Sequence, residues 1–151
     1  MIRAVFLDSG PLGLVTNPRL SPQVLACSEW LQTLSDVGIR IVIPEIADYE
    51  VRCELLRAGR LRGIARLRTL ITLSEYLPLT TEAMRQAAEC WAQARRQGQP
   101  TASDQSLDGD MILAGQVLTC GMLLGEIIVA TTNTRHLSRF VPAADWPTIT
   151  P

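Results

Sequence analysis

Leu107-Asp108-Gly109-Asp110-Met111-Ile112-Leu113-Ala114-Gly115-Gln116 sets two carboxylates directly before a strongly apolar run. At about 100° per residue, the run from Ile112 and Leu113 through Gln116 to Leu118 winds around a helix with little polar surface, so the helix is expected to be buried. Asp108 or Asp110 can cap it and complement its positive end. One cap accounts for one acid. A buried helix that carries two acids in its first turn calls for counter-charge, and oxygen-rich sites of this kind commonly hold Mg²⁺ or Mn²⁺. Capping with solvation, and a metal site, both stand at this point.

Working outward, the segments around this helix supply its expected partners. Ile2 to Leu7 reads as a strand buried on both faces and ends at Asp8-Ser9-Gly10-Pro11, where the Gly-Pro pair should break the strand and leave Asp8 at its carboxyl end. Ligands gather at that end in open α/β sheets. Ser21-Pro22 starts a helix that runs to Gly38, and Ile39 to Ile43 is a second buried strand. Pro44 opens a helix from Glu45 to Ala58, closed by Gly59, with Ile46, Tyr49, Cys53 and Leu56 as its expected apolar stripe. Glu45 and Glu50 both flank that stripe, and periodicity does not choose between them. An arginine-bearing helix from Leu61 to Ile71, a short strand from Glu75 to Leu79 and a helix capped by Thr80 or Thr81 follow. Residues 98 to 107 read as a polar loop whose Asp104 is a turn former or a third outer carboxylate. Past the Gly121 stop, Ile127 to Ala130 is another buried strand ending in Thr131-Thr132-Asn133. Phe140 to Thr150 reads as a loop with a weak edge strand. This order is α/β with a mainly parallel sheet, and right-handed crossovers bring the strand ends to one edge. Asp8, the acids at 108 and 110, Asn133 and one of the two glutamates could meet there.

The totals exclude several classes. A chain of 151 residues fits one domain with a substantial core. No apolar segment approaches the ~20 residues needed to span a bilayer, and Met1 leads into a strand-like run without a signal-peptide pattern. A soluble cytoplasmic protein with no membrane partner is expected. Cys27, Cys53, Cys90 and Cys120 lie far apart with no C-x-x-C pair and are expected to be buried thiols rather than a zinc or disulfide framework. The net charge of −1 argues against coating nucleic acid by bulk basicity. All fourteen basic residues are arginine, and Arg52, Arg57, Arg60, Arg62, Arg66 and Arg68 cluster in one stretch. That cluster reads either as a solvated helical face or as a phosphate-binding patch, since guanidinium binds phosphate as a planar fork. The absence of lysine disfavours a phosphoacceptor domain of the response-regulator type. Gly10 disfavours a phosphatase that needs Asp-x-Asp after its first strand.

Taken together, Asp8-Ser9, the segment Ile43 to Val51 with Glu50, Asp110-Met111-Ile112-Leu113-Ala114-Gly115, and Thr131-Thr132-Asn133 resemble, in order, the motifs of the PIN-domain family of metal-dependent ribonucleases. The likeness is to the small bacterial VapC-like proteins and covers nearly the whole chain. It implies a three-layer α/β/α sandwich with a mainly parallel central sheet, and it selects Glu50 over Glu45. Two departures stand out: Asn133 occupies the position of the fourth acid, and Gly115 that of a usual alanine. By this resemblance Asp8 and Asp110 would bind Mg²⁺ or Mn²⁺, with Asp108 an extra acid. Glu50 would orient a water or act as base, and Ser9 and Asn133 would hydrogen-bond within the site. Arg62 and Arg66 are the expected substrate contacts. His136, just past Asn133, reads as an ordinary surface or core residue. The implied activity is cleavage of RNA to 5′-phosphate products, commonly by a homodimer. Many relatives are toxins held by an antitoxin protein. The competing reading is a PIN-like nucleic-acid-binding or structural module without catalysis.

Overall fold

A computed structural model of the chain describes residues 1–98 and 104–151. Its frame is a five-stranded sheet in the order β3-β2-β1-β4-β5, where β1 is Ala4–Leu7, β2 Arg40–Pro44, β3 Glu75–Leu77, β4 Ile127–Thr131 and β5 Ala143–Asp145. Every pairing between neighbours is parallel. Parallel strands need crossovers, and the helices that supply them cover both faces of the sheet. This is why β1, β4 and most of β2 read as apolar runs.

Alternate strand residues feed two cores. Ala4, Phe6, Val42, Ile127 and Val129 point to the side covered by α5 (Thr81–Arg96), α6 (Asp104–Leu118) and α7 (Thr134–Leu137). Val5, Leu7, Ile41, Ile43 and Ala130 point to the other, covered by α1 (Ser9–Thr16), α2 (Pro22–Asp36), α3 (Glu45–Arg57) and α4 (Leu61–Leu73). The result is a three-layer α/β/α sandwich. Trp30 of α2 donates its indole N–H to the Ile149 carbonyl at 2.9 Å and meets the Trp146 ring at a centroid distance of 5.4 Å, which fastens the C-terminal segment to this second layer. Among the described residues no helix is long and apolar enough to cross a membrane.

Local signals account for most boundaries. Ser21 caps α2 with Pro22 in its first turn, and Thr80 caps α5 through the Ala83 N–H at 3.0 Å. Gly59 (φ 65°) and Gly121 (φ 84°) stand in the left-handed region that ends helices. Gly115 is a packing necessity: a methyl there would meet the Ala83 carbonyl and Ala87, where α5 crosses α6.

Three expectations need correction, and one is met: the strand ends at Leu7 with Asp8 at its carboxyl end, and Gly10-Pro11 then lies inside the first turn of α1, where a missing N–H costs nothing and proline's φ suits the helix. Gly10 is required there, because a Cβ would come 2.5 Å from Thr132 Oγ1. On α3 the buried face is Ile46, Ala47, Asp48, Val51 and Leu55, while Tyr49, Cys53 and Leu56 are exposed. The stripe is rotated from the expected one because it contains a buried acid, Asp48, that hydrophobicity alone assigns to solvent. Cys53 is thus not a buried thiol, whereas Cys27 and Cys90 are. Finally, α6 begins at Asp104 rather than after Leu107. Residues 99–103 and the side chain of Asp104 lie outside the described residues.

Candidate active site

The first acid is fixed by the strand that ends beneath it. Asp8 follows β1, donates its N–H to the Ala130 carbonyl at 2.9 Å, and caps α1 by accepting the Ser9 N–H on Oδ1 at 2.7 Å. Its Oδ2 accepts the Thr131 hydroxyl at 2.8 Å, and Thr131 Oγ1 in turn accepts the Asn133 N–H at 3.0 Å. Burial pushes the Asp8 carboxyl above the usual range, and the bonds from Thr131 and Ser9 pull against that shift without cancelling it.

The second and third acids come from helices on opposite faces of the sheet. Gln116 of α6 is 1% exposed and accepts the Ile46 N–H at 3.1 Å while donating to the Leu77 carbonyl at 2.8 Å, which locks α6 to the start of α3 and to β3. One turn beyond Ile46 on α3 stands Glu50. Its carboxylate lies against α6 where Gly109 leaves room: a methyl at Gly109 would come 3.0 Å from Glu50 Oε2. Asp110 is the next residue. Burial, and then the charge of Asp8, push Glu50 up to about 7. Burial, then the charges of Asp8 and Glu50, push Asp110 up to about 7 as well. The three carboxylates therefore form one interacting set.

Nothing in the described chain neutralises this set. The ion pairs join Arg3 to Glu126, Arg40 to Glu75, Arg52 to Asp48 and Arg57 to Glu54. Neither Glu50 nor Asp110 has a hydrogen-bond partner among the described residues. Oxygen donors of this kind, charged and with free lone pairs, suit a hard divalent cation. Among the described residues no group of three His, Cys, Asp or Glu side chains is arranged to hold a metal ion, so a cation here would rest on fewer side chains and on water, which Mg²⁺ commonly keeps.

Beside the acids a cleft of about 700 Å³ runs between α1 and α3, and Ser9 and Glu50 line it and connect it to the carboxylates. Arg57 and Arg60, two members of the arginine cluster, line it too. Arg62 and Arg66 do not; both are exposed on α4, and Arg66 reaches only the Asn17 carbonyl at the rim, at 3.5 Å. Asp108 stands apart from the other acids. It is two residues before Asp110, about 200° around the helix, and lines a separate apolar groove with Met84, Trp91 and Ile112. It lies in the second turn of α6. Asn133 is exposed, its side chain accepts the Arg135 N–H at 3.3 Å to cap α7, and its backbone N–H joins the site through Thr131. Asparagine at an N-cap is held by its own helix. Glu45 accepts the Leu79 N–H at 3.0 Å and is a structural tie. His136 is partly buried in α7. Thr131, the direct partner of Asp8, was legible only as one of several polar groups at a strand end.

No family model matches the sequence, and no curated protein matches it. Solved structures do match in fold. VapBC2 from Rickettsia felis bound to a DNA fragment from their promoter has a chain that superposes with a TM-score of 0.71 at 12% identity, covering 95% of this chain and 98% of that one. DNA-bound VapBC from Salmonella typhimurium gives 0.67 at 21% identity, with 97% and 99% covered. VapBC-1 from nontypeable Haemophilus influenzae gives 0.64 at 15%, with 96% and 99% covered. The chain thus shares the PIN-like fold of these VapBC chains over 95–97% of its length.

Proposed function

We propose that a chain with this fold and these acids is a Mg²⁺- or Mn²⁺-dependent ribonuclease of the VapC type, the toxin of a toxin-antitoxin pair. The carrying observation is the set of Asp8, Glu50 and Asp110: three carboxylates with raised pKa values and no counter-cation among the described residues. Structural acids are normally paired. A set left unpaired at the carboxyl ends of parallel strands is where function is expected.

In this reading Asp8 and Asp110 would hold the cation. When bound, it would supply charge for the phosphate oxygens and acidify a water. Thr131 and the Ser9 N–H keep Asp8 aimed, as outer partners of a ligand do. Glu50, half-buried beside the cleft, would take a proton from the attacking water. The water oxygen forms a bond to phosphorus as the bond to the ribose 3′-oxygen breaks; that oxygen gains a proton, leaving a 5′-phosphate. The described part of the cleft carries Glu50, Glu54, Arg57 and Arg60, so its own charges roughly balance, and a polyanion would enter more readily once a cation offsets the acids. The VapBC neighbours support an antitoxin protein as partner, and we extend the reading to a homodimer.

Incubating single-stranded RNA with the full chain across a Mg²⁺ and Mn²⁺ titration tests this. Cleavage should need the metal, stop with EDTA, and fall about 100-fold or more in Asp110→Asn, the scale of losing one preorganised electrostatic contact. Cleavage that persists in Asp110→Asn would sink the assignment. Asn133, an amide where the resemblance expects a fourth acid and engaged as the cap of α7, favours one alternative, a binding module without catalysis; RNA binding with no cleavage at any metal concentration would establish it.

A further inference from the structure

Among the described residues four polar side chains are buried: Thr16, Asp48, Thr131 and Gln116. Thr16 returns its hydroxyl to the Leu12 carbonyl of its own helix at 2.9 Å, Asp48 is held by Arg52 and Tyr76, and Thr131 holds Asp8. Gln116 differs from these, because both its bonds go to backbone and they join three elements. On α6 it sits among Leu113, Ala114 and Val117, all buried, where a leucine or methionine would pack without the cost of desolvating an amide. Its position along the helix suggests its use. Gly109 and Gln116 are seven residues apart, so they share one face of α6 to within about 20°. Both meet α3, Gln116 through the Ile46 N–H and Gly109 through the Glu50 carboxylate, and Ile46 and Glu50 are themselves one turn apart. The two helices thus meet at a hydrogen bond and, two turns of α6 away, at an acid that stands beside Asp110. That second point is under load. Asp8, Glu50 and Asp110 repel one another, and without a cation the repulsion drives α6 away from α3 and from the end of β1. The bonds of Gln116, to Ile46 at 3.1 Å and to Leu77 at 2.8 Å, oppose it.

We propose that Gln116 is a positioning residue for the acidic set: by fastening α6 to the start of α3 and to the end of β3, it holds Asp110 within reach of a cation on Asp8 and beside Glu50. The inference rests on the ribonuclease reading above and adds the residue that sets the geometry of its site. An apolar side chain of the same length would fill the space at 116 and leave α6 free to slide or tilt under the repulsion. Reacting groups tolerate little of that, since a displacement of about 1 Å caused far from the chemistry can cost on the order of 100-fold. A glutamine that only stabilised the fold would leave metal affinity unmoved, and this separates the two roles.

The Mn²⁺ affinity of the full-length chain, read from the electron paramagnetic resonance signal of the free aqueous ion, tests this without relying on cleavage. Gln116→Met leaves the Ile46 N–H and the Leu77 carbonyl unpaired; it should melt several degrees lower and raise the Kd for Mn²⁺ about tenfold or more, the scale of disturbing the support of a metal ligand. Gln116→Glu keeps the shape, and its carboxyl can accept from Ile46 and, protonated where it is buried, donate to Leu77. It should return the affinity close to that of the parent. Asp48→Asn is the control for stability alone: it loosens α3 from Tyr76 of β3 and should lower Tm while Mn²⁺ affinity holds. Where Gln116→Met does not fold, Gln116→Asn decides, because its shorter amide cannot span Ile46 and Leu77, so that a bond is lost or α6 moves and affinity falls in either case. Parent-like Mn²⁺ affinity in Gln116→Met or Gln116→Asn, no recovery in Gln116→Glu, or an equal loss in Asp48→Asn overturns the positioning role while leaving the ribonuclease reading standing. A parent that binds no Mn²⁺ overturns both.

Discussion

Asp48 and Glu50 stand two residues apart on α3, and their surroundings are opposite. Asp48 is 7% exposed and fully engaged: Arg52 donates to Oδ1 from Nε at 3.1 Å and Nη2 at 2.8 Å, and the Tyr76 hydroxyl donates to Oδ2 at 2.8 Å. Burial and that carboxylate push the Tyr76 hydroxyl well above its ordinary value, so it stays a donor. Glu50 is less buried, has no described partner, and faces Asp8 and Asp110. One acid ends its electrostatic account inside the protein; the other leaves it open to a ligand. Burial does not separate structural from functional acids here, but partnership does.

Exchanging the two acids for their amides gives the largest expected contrast. Glu50→Gln removes a proton acceptor from the proposed reaction and should reduce RNA cleavage about 100-fold or more, with metal-free melting unchanged or raised because a repulsion is gone. Asp48→Asn should do the reverse. It leaves Arg52 and Tyr76 without their charged acceptor and should cost about 1–3 kcal/mol, the range for a buried group losing its partner, lowering Tm by several degrees while cleavage per folded molecule persists. If Asp48→Asn abolishes cleavage in a folded protein, or Glu50→Gln melts several degrees lower, partnership is the wrong criterion.

The sequence made the open acids easier to find than the closed one, for physical reasons. Strands buried on both faces are unbroken apolar runs, so β1, β2 and β4 and the polar residues at their ends stood out. Asp8 followed from one of those ends, Asp110 from the apolar helical run that it precedes, and Glu50 from the ordered set of motifs. Asp48 was invisible because its partners are Arg52, one turn on, and Tyr76, on a neighbouring strand, and only the fold brings Tyr76 to it. The same buried acid rotated the expected face of α3. Thr131 and Gln116 act by reaching across elements, Thr131 to Asp8 and Gln116 to Ile46 and Leu77, and hydrophobic periodicity carries no record of such bonds. Helix α1 was hidden because Gly10-Pro11 is a breaker signal everywhere except a first helical turn.

A smaller effect, and one that reads the whole acidic set, is the pH dependence of the metal-free protein. Glu50 and Asp110 are pushed up to about 7, so the folded state binds their protons more tightly than the unfolded chain does. Their contribution to stability is complete below the ordinary carboxylate pKa of about 4 and is lost as pH rises through about 7. Glu54 and Glu75, lowered by their arginines, act in the opposite sense, losing their contribution only as pH falls below about 4. Tm measured in EDTA should therefore decline between about pH 5 and pH 8. Saturating Mg²⁺ should flatten the decline and raise Tm at the upper end, because a cation that binds the native state stabilises it by mass action. A flat profile in EDTA would mean that the three carboxylates do not interact as their burial implies.

The smallest effect is expected from Asp108, the other acid of the opening stretch, and it tests the comparison on a second helix. Asp108 and Asp110 are two residues apart, as Asp48 and Glu50 are, and again the helix turns them to different surroundings. Asp110 meets Asp8 and Glu50, whereas Asp108 is exposed at the rim of a groove formed by Met84, Trp91 and Ile112. In sequence the two are near equivalents, and as a cap or an extra ligand Asp108 would have mattered. In the second turn of α6, on the groove side, it is placed for neither task. Asp108→Asn keeps the shape and removes a charge that faces water, so stability should stay within about 0.5 kcal/mol, the usual span for surface substitutions. The Mg²⁺ concentration for half-maximal cleavage should not move. A rise of roughly tenfold in that concentration, the effect of losing an outer partner of a metal ligand, would return Asp108 to the site and show that the face of α6, rather than mere proximity in sequence, had been misjudged.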